Sequence, residues 1–573
     1  MSGPNAATIT LRETMDLLDG PFAETLEGVA SDRYGIWLGS GISFGRMPKL
    51  ADVIESALDH LQTRIDRANP ACPYRESLTA ILDLSSLSED EKTTTPFDQP
   101  VASWPQRDKL RDSLPLNYAR VLDVAPNTED ADYLLWDAVD VRGQFADPTQ
   151  IPDAEHVAIA ALILEGTASE LASANWDGLI EKAVEEFGGG ADLLQVVVLP
   201  EDVRTPRIRA RVYKFHGCAL LAAADEARYR ARLVGRQSQI NSWAAKSENA
   251  VIAGKLIDMV TTKPTLMLGL SAQDSNIQGI FAAAEQRMAW PYPSHPPAYV
   301  FSEDRLGFDQ RGLLQNVYVD AFSAANRQAI VESALLRAYA KPLLTSLWLA
   351  VLCSKLAAVV DLATVDLPAI ERDTLRAGLR SFRNLVAEAA PPDEHEAFLR
   401  AALPWVGRTI SLFQDGRLPA AGSAPYRPLS VHPTHQMLAD PATASSGVGG
   451  LAVASGLVGM GIDQGAWSAA ASPATNPKSG ALCLTSPTSR SEIFFAANAQ
   501  SALRLFENGH VSPMDDAVLV HSEEIVPAMP RAPRPASGRT ARPGLRQVSI
   551  SSITKSAATS ANLLQRFREE IVL

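Results

Sequence analysis

"YGIWLGSGISFGRMPKL" (residues 34–50) decides the fold, because an apolar run, Tyr34 to Leu38, hands over at once to Gly-Ser-Gly and then Ser. A run that short predicts a buried strand, and the small residues after it predict a tight turn at the start of a helix. Gly39 and Gly41 permit backbone angles and a close approach that a Cβ would block. Backbone N–H groups at such a helix start would face an anion such as a phosphate. Two glycines are also ordinary punctuation between a strand and a helix, so the turn needs company before it means chemistry.

Outward from this turn, residues 34 to 325 repeat one unit: a short apolar run, a polar or glycine-rich turn, then a helical stretch. The pattern predicts an α/β fold with a Rossmann-like parallel sheet. The candidate strands are "YGIWL" at 34, "ELASA" at 170, "RVYKF" at 211, "TLMLGL" at 265, "PAYVF" at 297 and "NVYVDAF" at 316. Most are nearly continuous apolar runs, as strands covered on both faces require. Residues 62 to 150 interrupt the pattern, and their polar stretch "SSLSEDEKTTTPFDQP" reads as a mobile loop within a helical insertion lying over the sheet. Past 327 the spacing turns helical and rich in Ala and Leu, and from about 418 Gly, Ala, Ser and Pro dominate, with short strands "SEIFFAA" and "DAVLVHS" following. The expected division is therefore 1–326, a helical domain at 327–417, and a mixed α/β region at 418–573 that serves assembly or partner binding. The stretch "RAPRPASGRTARPGLR" reads as a solvated linker, or as an arm that touches nucleic acid or an acidic partner.

A formal net charge of −14 over 573 residues argues against a general polyanion binder. Cys72, Cys218, Cys353 and Cys483 are far apart, with no C-x-x-C pair, so neither a disulfide framework nor a zinc site is expected and no metal is predicted. His60, His156, His295, His432 and His435 form no ligand spacing. No basic, apolar and small-residue leader opens the sequence, and a cytoplasmic protein is expected. Two apolar segments, 345–363 and 447–462, are poor membrane spans, the first because it carries Lys355 and Asp361 and the second because it is short and glycine-rich.

Three further strand ends carry polar groups. "ELASA" is followed by "NWDGLIEKA", "RVYKF" by "HGCA", and "TLMLG" by "LSAQDSNI". Open α/β sheets bind ligands just outside the carboxyl ends of their strands. In this order the pieces resemble the sirtuin-like NAD hydrolases of bacterial anti-phage defence. Gly39-Ser40-Gly41-Ile42-Ser43 is similar to that family's Gly-Ala-Gly-x-Ser turn, and Asn175-Trp176-Asp177 to its Asn-x-Asp. Lys214-Phe215-His216-Gly217 is similar to its Lys-x-His-Gly, and Gly269-Leu270-Ser271 with Asp274 to its Gly-x-Ser-x-x-Asp. The resemblance covers residues 30 to 325. The chain departs from the protein-deacylating branch, which carries four zinc-binding cysteines and a Gly-Ile-Pro-x-Phe-Arg stretch, whereas Pro48 after a short spacer resembles the hydrolase branch.

The resemblance implies NAD as substrate and cleavage of the bond between nicotinamide and ribose. Asn175 would hold ribose hydroxyls or a water beside the anomeric carbon, and His216 would act as base toward a ribose hydroxyl or that water. Asp177 would fix a ribose hydroxyl or its own loop. Ser43 and the N–H groups of residues 40 to 43 would face the diphosphate, while Gly269, Ser271 and Asp274 would serve the adenosine end, unless Asp274 simply caps the helix beginning near Asn276. Cys218 is more readily a small buried hydrophobe than a nucleophile. Defence effectors of this kind imply restraint until a trigger arrives, hence a homo-oligomer or a companion such as a HerA-type ATPase or a short Argonaute, with nucleic acid engaged only indirectly and no membrane. A zinc-free NAD-dependent deacylase, or a sensor that binds NAD or ADP-ribose without turnover, are the alternatives.

Overall fold

A computed structural model describes residues 5–572 apart from 295, 473–475, 477 and 524–543. Seven strands form a parallel sheet: β1 (Gly35–Leu38), β2 (Glu170–Ser173), β3 (Leu194–Val197), β4 (Ala210–Lys214), β5 (Thr265–Leu268), β6 (Tyr299–Ser302) and β7 (Leu335–Leu336). Their spatial order is β3-β4-β2-β1-β5-β6-β7. The chain thus builds one half of the sheet on one side of β1 and the other half beyond β5. Register aligns the carboxyl ends, pairing Leu38 with Ser173 and with Leu268, and Ser173 with Lys214.

Both faces of the sheet are covered. Ile36 and Leu38 point into a core shared with helices Leu11–Asp19, Ala154–Leu164 and Ala340–Ala363, whereas Trp37 between them packs on the opposite face with helices Ala250–Thr262 and Ser275–Arg287. Successive side chains of a strand leave on opposite faces, so a strand buried on both reads as an unbroken apolar run.

Two sequence expectations change here. "NVYVDAF" is no strand: Val317 and Tyr318 end the helix Phe308–Tyr318, whose buried Gln310, Leu313, Leu314 and Val317 repeat at helical spacing. The polar stretch within 85–100 is not simply a loop, since Ser88 and Glu91 form a capping box at the start of a short helix, Glu89–Thr93. The surrounding insertion is helical as expected. It has its own core, in which Leu78, Ile81, Leu110 and Leu134 pack with Ile54 and Leu58 of helix Leu50–Thr63.

Helix Ala340–Ala363 is long and apolar enough to cross a membrane, yet 72% of its most apolar window is buried inside the protein. Its first half packs on the parallel sheet and its second half belongs to another core. That second core lies between helices Ala369–Glu388, Val448–Asp463 and Ser560–Ile571 and a five-stranded mixed sheet. The strands are β8 (Ser468–Ala471), β9 (Leu482–Thr485), β10 (Arg490–Ala496), β11 (Ala517–His521) and β12 (Arg546–Ser549), in the order β12-β11-β10-β9-β8, with the last three in sequence parallel. The glycine-rich segment at 447–462 lies almost entirely within the buried helix Val448–Asp463. Residues 531–543 of the arginine-rich stretch, and His295, lie outside the described residues.

Candidate functional site

The loops that leave β1, β2, β4 and β5 meet around a cavity of about 360 Å³. Gly39, Ser40, Gly41 and Ser43 line it from the first loop, Asn175 and Asp177 from the second, His216 from the third, and Gly269, Ser271 and Asp274 from the fourth. Ile42 does not line it. Its side chain is buried in the core beneath the turn, and its N–H donates to the Gly39 carbonyl at 3.2 Å.

The turn itself differs from the expected helix start. Ser40–Ser43 is a 3₁₀ turn, and the next α-helix begins only at Leu50. Gly41 N–H donates to the Gly269 carbonyl at 3.0 Å, so this group and that of Ile42 are spent within the protein and are not free for an anion. The two glycines are needed for packing between loops: a Cβ on Gly39 would lie 2.4 Å from the Gly269 carbonyl oxygen, and one on Gly41 2.6 Å from Gly269 Cα. Gly269 has a φ of +61° and meets Gly41 equally closely. Of the lining side chains, Lys49 carries the fixed positive charge, with its Nζ 4.5 Å from the Phe44 ring centroid.

Behind the turn runs a chain of hydrogen bonds whose direction can be assigned. Asp153 N–H donates to His156 Nδ1 at 3.2 Å, which places the proton of the neutral ring on Nε2. His156 Nε2–H then meets Ser43 Oγ at 3.1 Å, and the Ser43 hydroxyl donates to Asp177 Oδ2 at 2.9 Å. This is the reverse of the polarity a nucleophilic serine needs, where the imidazole accepts the hydroxyl proton. Ser43 therefore braces the loops, and Asp177, which also accepts Leu179 N–H at 3.2 Å, fixes its own loop. Lys214, wholly buried, supports that loop through the Asp177 carbonyl and through Glu181 at 2.6 Å.

Asn175 and His216 stand in the same wall. Asn175 Nδ2 donates to the Gly39 carbonyl at 3.1 Å, but its Oδ1 is buried with no hydrogen-bond partner among the described residues. Asn276 Nδ2 lies 3.0 Å from His216 Nε2, and Asn276 Oδ1 accepts Ile277 N–H, which fixes the amide orientation. Nε2 is thus an acceptor, and burial pushes the His216 pKa below its usual value, so the ring is neutral near pH 7.

Asp274 precedes helix Ser275–Arg287 but makes no side-chain cap; it accepts the Tyr118 phenol at 2.7 Å. Tyr118 comes from the insertion, as do Leu122 and Phe145, so the insertion builds one wall of the cavity. Burial and the Asp274 carboxylate hold the Tyr118 phenol far above its usual pKa. The sequence assigns no site role to Tyr118, to Asn276, named there only as a helix start, or to His156, named there only as lacking ligand spacing. A lone polar residue inside a helical pattern carries no mark of which loop it will face. Cys218 is buried one residue past Gly217, and burial pushes its thiol up, which disfavours a thiolate nucleophile. Among the described residues no group of three or more His, Cys, Asp or Glu side chains is placed to hold a metal ion.

Residues 169–322 match the SIR2-like domain family. The SIR2-like segment starts just before β2 and ends beyond β6, so it contains Asn175, Asp177, His216, Gly269, Ser271 and Asp274. The Gly39–Ser43 turn and the whole insertion lie before it. SIR2-like domains bind NAD, and the match points to NAD-related chemistry in general. None of the curated proteins compared matches the chain.

Proposed function

We propose that the chain is an NAD⁺ glycohydrolase. The observation that carries this reading is the unpaired Asn175 Oδ1, buried in the cavity wall that also holds a neutral His216. A buried acceptor without a partner is unfavourable until something donates to it, and a ribose hydroxyl or a water beside the anomeric carbon is such a donor. In the reaction the bond between nicotinamide N1 and ribose C1′ breaks, its electron pair leaves with the pyridine, and water oxygen bonds to C1′. The products are nicotinamide, ADP-ribose and one proton. The leaving group is already a cationic pyridinium, so departure needs little acid catalysis and the site's work is positioning. His216 Nε2 takes up the proton of a ribose hydroxyl or of the water in place of its bond with Asn276, while Lys49 supplies positive charge for a diphosphate. The family resemblance of the four strand-end motifs supports a further reading, that NAD⁺ loss serves anti-phage defence in the cytoplasm and is held in check by oligomerisation or by a companion protein.

The test is nicotinamide release from NAD⁺ by the purified chain, alone and with its genomic-neighbour protein. His216→Ala and Asn175→Ala are each expected to lower turnover by about 10²-fold or more, and wild-type rates in both would remove these residues from the reaction. Because the buried ring must be neutral to accept a proton, turnover should fall as pH drops through a midpoint below about 6.5.

A further inference from the structure

Neither ring nitrogen of His216 is free to take a proton in this structure. The neutral ring has one proton and one in-plane lone pair to divide between its two nitrogens. Asn276 Nδ2–H occupies the lone pair of Nε2 at 3.0 Å, so the ring proton stays on Nδ1. Asn276 cannot turn its oxygen to the ring without giving up the Ile277 N–H, which Oδ1 accepts at 2.9 Å. Nor is it a wall of the cavity: Asn276 is buried behind the ring, whereas Asp274, Ile277 and His216 itself line the space.

The residues around this contact are held in turn. Asp274, two positions earlier, accepts the phenol of Tyr118 from the insertion at 2.7 Å, and Ser275 Oγ donates to Asn241 Oδ1 at 2.9 Å. Gln278, in the same helix, ties it back to the Ala272 carbonyl at 2.7 Å. We infer that Asn276 is a catch on the base: it keeps His216 from accepting a proton until the first turn of helix Ser275–Arg287 shifts, and the insertion sets the catch through Tyr118 and Asp274. The inference rests on the hydrolase reading, in which His216 is that base. A proton from a ribose hydroxyl or a water enters the ring only after Nδ2–H has let go of Nε2, so each turnover carries the cost of breaking this bond. A residue that merely supported the ring would act in the opposite sense, since its loss would slow the reaction.

Nicotinamide release from NAD⁺ by the full-length protein tests the catch. Asn276→Ala should raise kcat/KM about two- to tenfold, the range one buried hydrogen bond spans. Tyr118→Phe removes only the phenol hydroxyl and should raise it about two- to fivefold. The double variant should gain no more than Asn276→Ala alone, because both changes act on one contact. A rate at or below the wild-type value in Asn276→Ala overturns the catch and leaves the hydrolase reading standing; a wild-type rate in Tyr118→Phe beside a fast Asn276→Ala removes the insertion from it. Nitrogen-15 spectra of histidine-labelled protein, with His216→Ala to assign the signal, read the contact without turnover. Nε2 should be unprotonated in the free protein, and its resonance should move in Asn276→Ala. If neither the wild type nor any variant releases nicotinamide, the hydrolase reading falls and the ring spectrum decides the catch, which a protonated Nε2 overturns. Should Asn276→Ala fail to fold, Tyr118→Phe decides alone.

Discussion

Glu155 stands beside His156 at the start of helix Ala154–Leu164, and the two titrate in opposite senses. Burial pushes the Glu155 carboxyl up to about 8, and its Oε2 has no hydrogen-bond partner among the described residues. Burial pushes the His156 ring down, as the chain of bonds from Asp153 N–H through the ring to Ser43 requires of a neutral imidazole. For Glu155 the folded state holds its proton more tightly than the unfolded state, so its contribution is fully present below pH 4.5 and is lost as pH rises through about 8. Glu155→Gln keeps the shape and removes that proton. The variant should match the wild type in thermal stability at pH 5 and exceed it by roughly 1–3 kcal/mol at pH 8; an equal gain at both values would show that the carboxyl is ionised throughout. His156 and His216 work the other way. Each binds its proton less tightly when folded, so stability falls as pH drops below about 6.5 toward their depressed pKa values.

At the scale of elements, the Gly39–Ser43 and Gly269–Ser271 loops act as one piece. They leave neighbouring strands on either side of the point where chain order in the sheet reverses, and the Gly41 N–H to Gly269 carbonyl bond joins them. Gly269→Ala adds a Cβ 2.7 Å from Gly41 backbone at a positive φ, and should cost about 1–3 kcal/mol through overpacking and strain. The thermal midpoint reads this loss, and a neutral outcome would mean that the loops separate freely. The same contact explains what was legible in the sequence. Apolar runs ending in glycine gave β1 and β5, and polar clusters after β2 and β4 placed Asn175, Asp177 and His216 at one sheet edge, where the cavity lies. The sequence did not show that Gly39 and Gly41 make room for another loop, because a glycine records that something comes close without naming it. Nor did it show β3 and β7. The first is four residues at the sheet edge whose middle pair, Gln195 and Val196, is only half-buried, and the second is two residues long. "NVYVDAF" misled for the converse reason: a β-branched, aromatic run closes a helix whose apolar face had already begun at Leu313.

The whole molecule is tied together across its two cores by buried charge. Lys355, in helix Ala340–Ala363, donates to Glu165 Oε2 at 2.5 Å and to the Ser430 carbonyl at 2.7 Å, while Tyr426 and Leu429 N–H complete the shell of Glu165 Oε1. Lys355→Met would strand the carboxylate and should cost about 3–5 kcal/mol, read from the urea midpoint at pH 7; a near-neutral result would mean that Glu165 takes up a proton instead. A second link runs to the candidate site. Arg46, three residues past Ser43, contacts Glu396 near the start of helix His395–Asp415 and lies 3.5 Å from Asp153. Lys341, at the start of helix Ala340–Ala363, reaches the same Asp153 at 2.8 Å. Asp153 also gives its N–H to His156, which holds Ser43, so two C-terminal helices bear on the turn at the cavity wall. The Arg46–Glu396 pair is about a quarter exposed, and breaking it should change stability by no more than about 1 kcal/mol. Glu396→Gln should therefore leave the thermal midpoint nearly unchanged while lowering nicotinamide release severalfold, as the loop after Ser43 loses its outer support. Unaltered turnover in Glu396→Gln would show that the turn holds its shape without the C-terminal helices; a rate loss matched by a large fall in the midpoint would show that the contact serves folding and not the site.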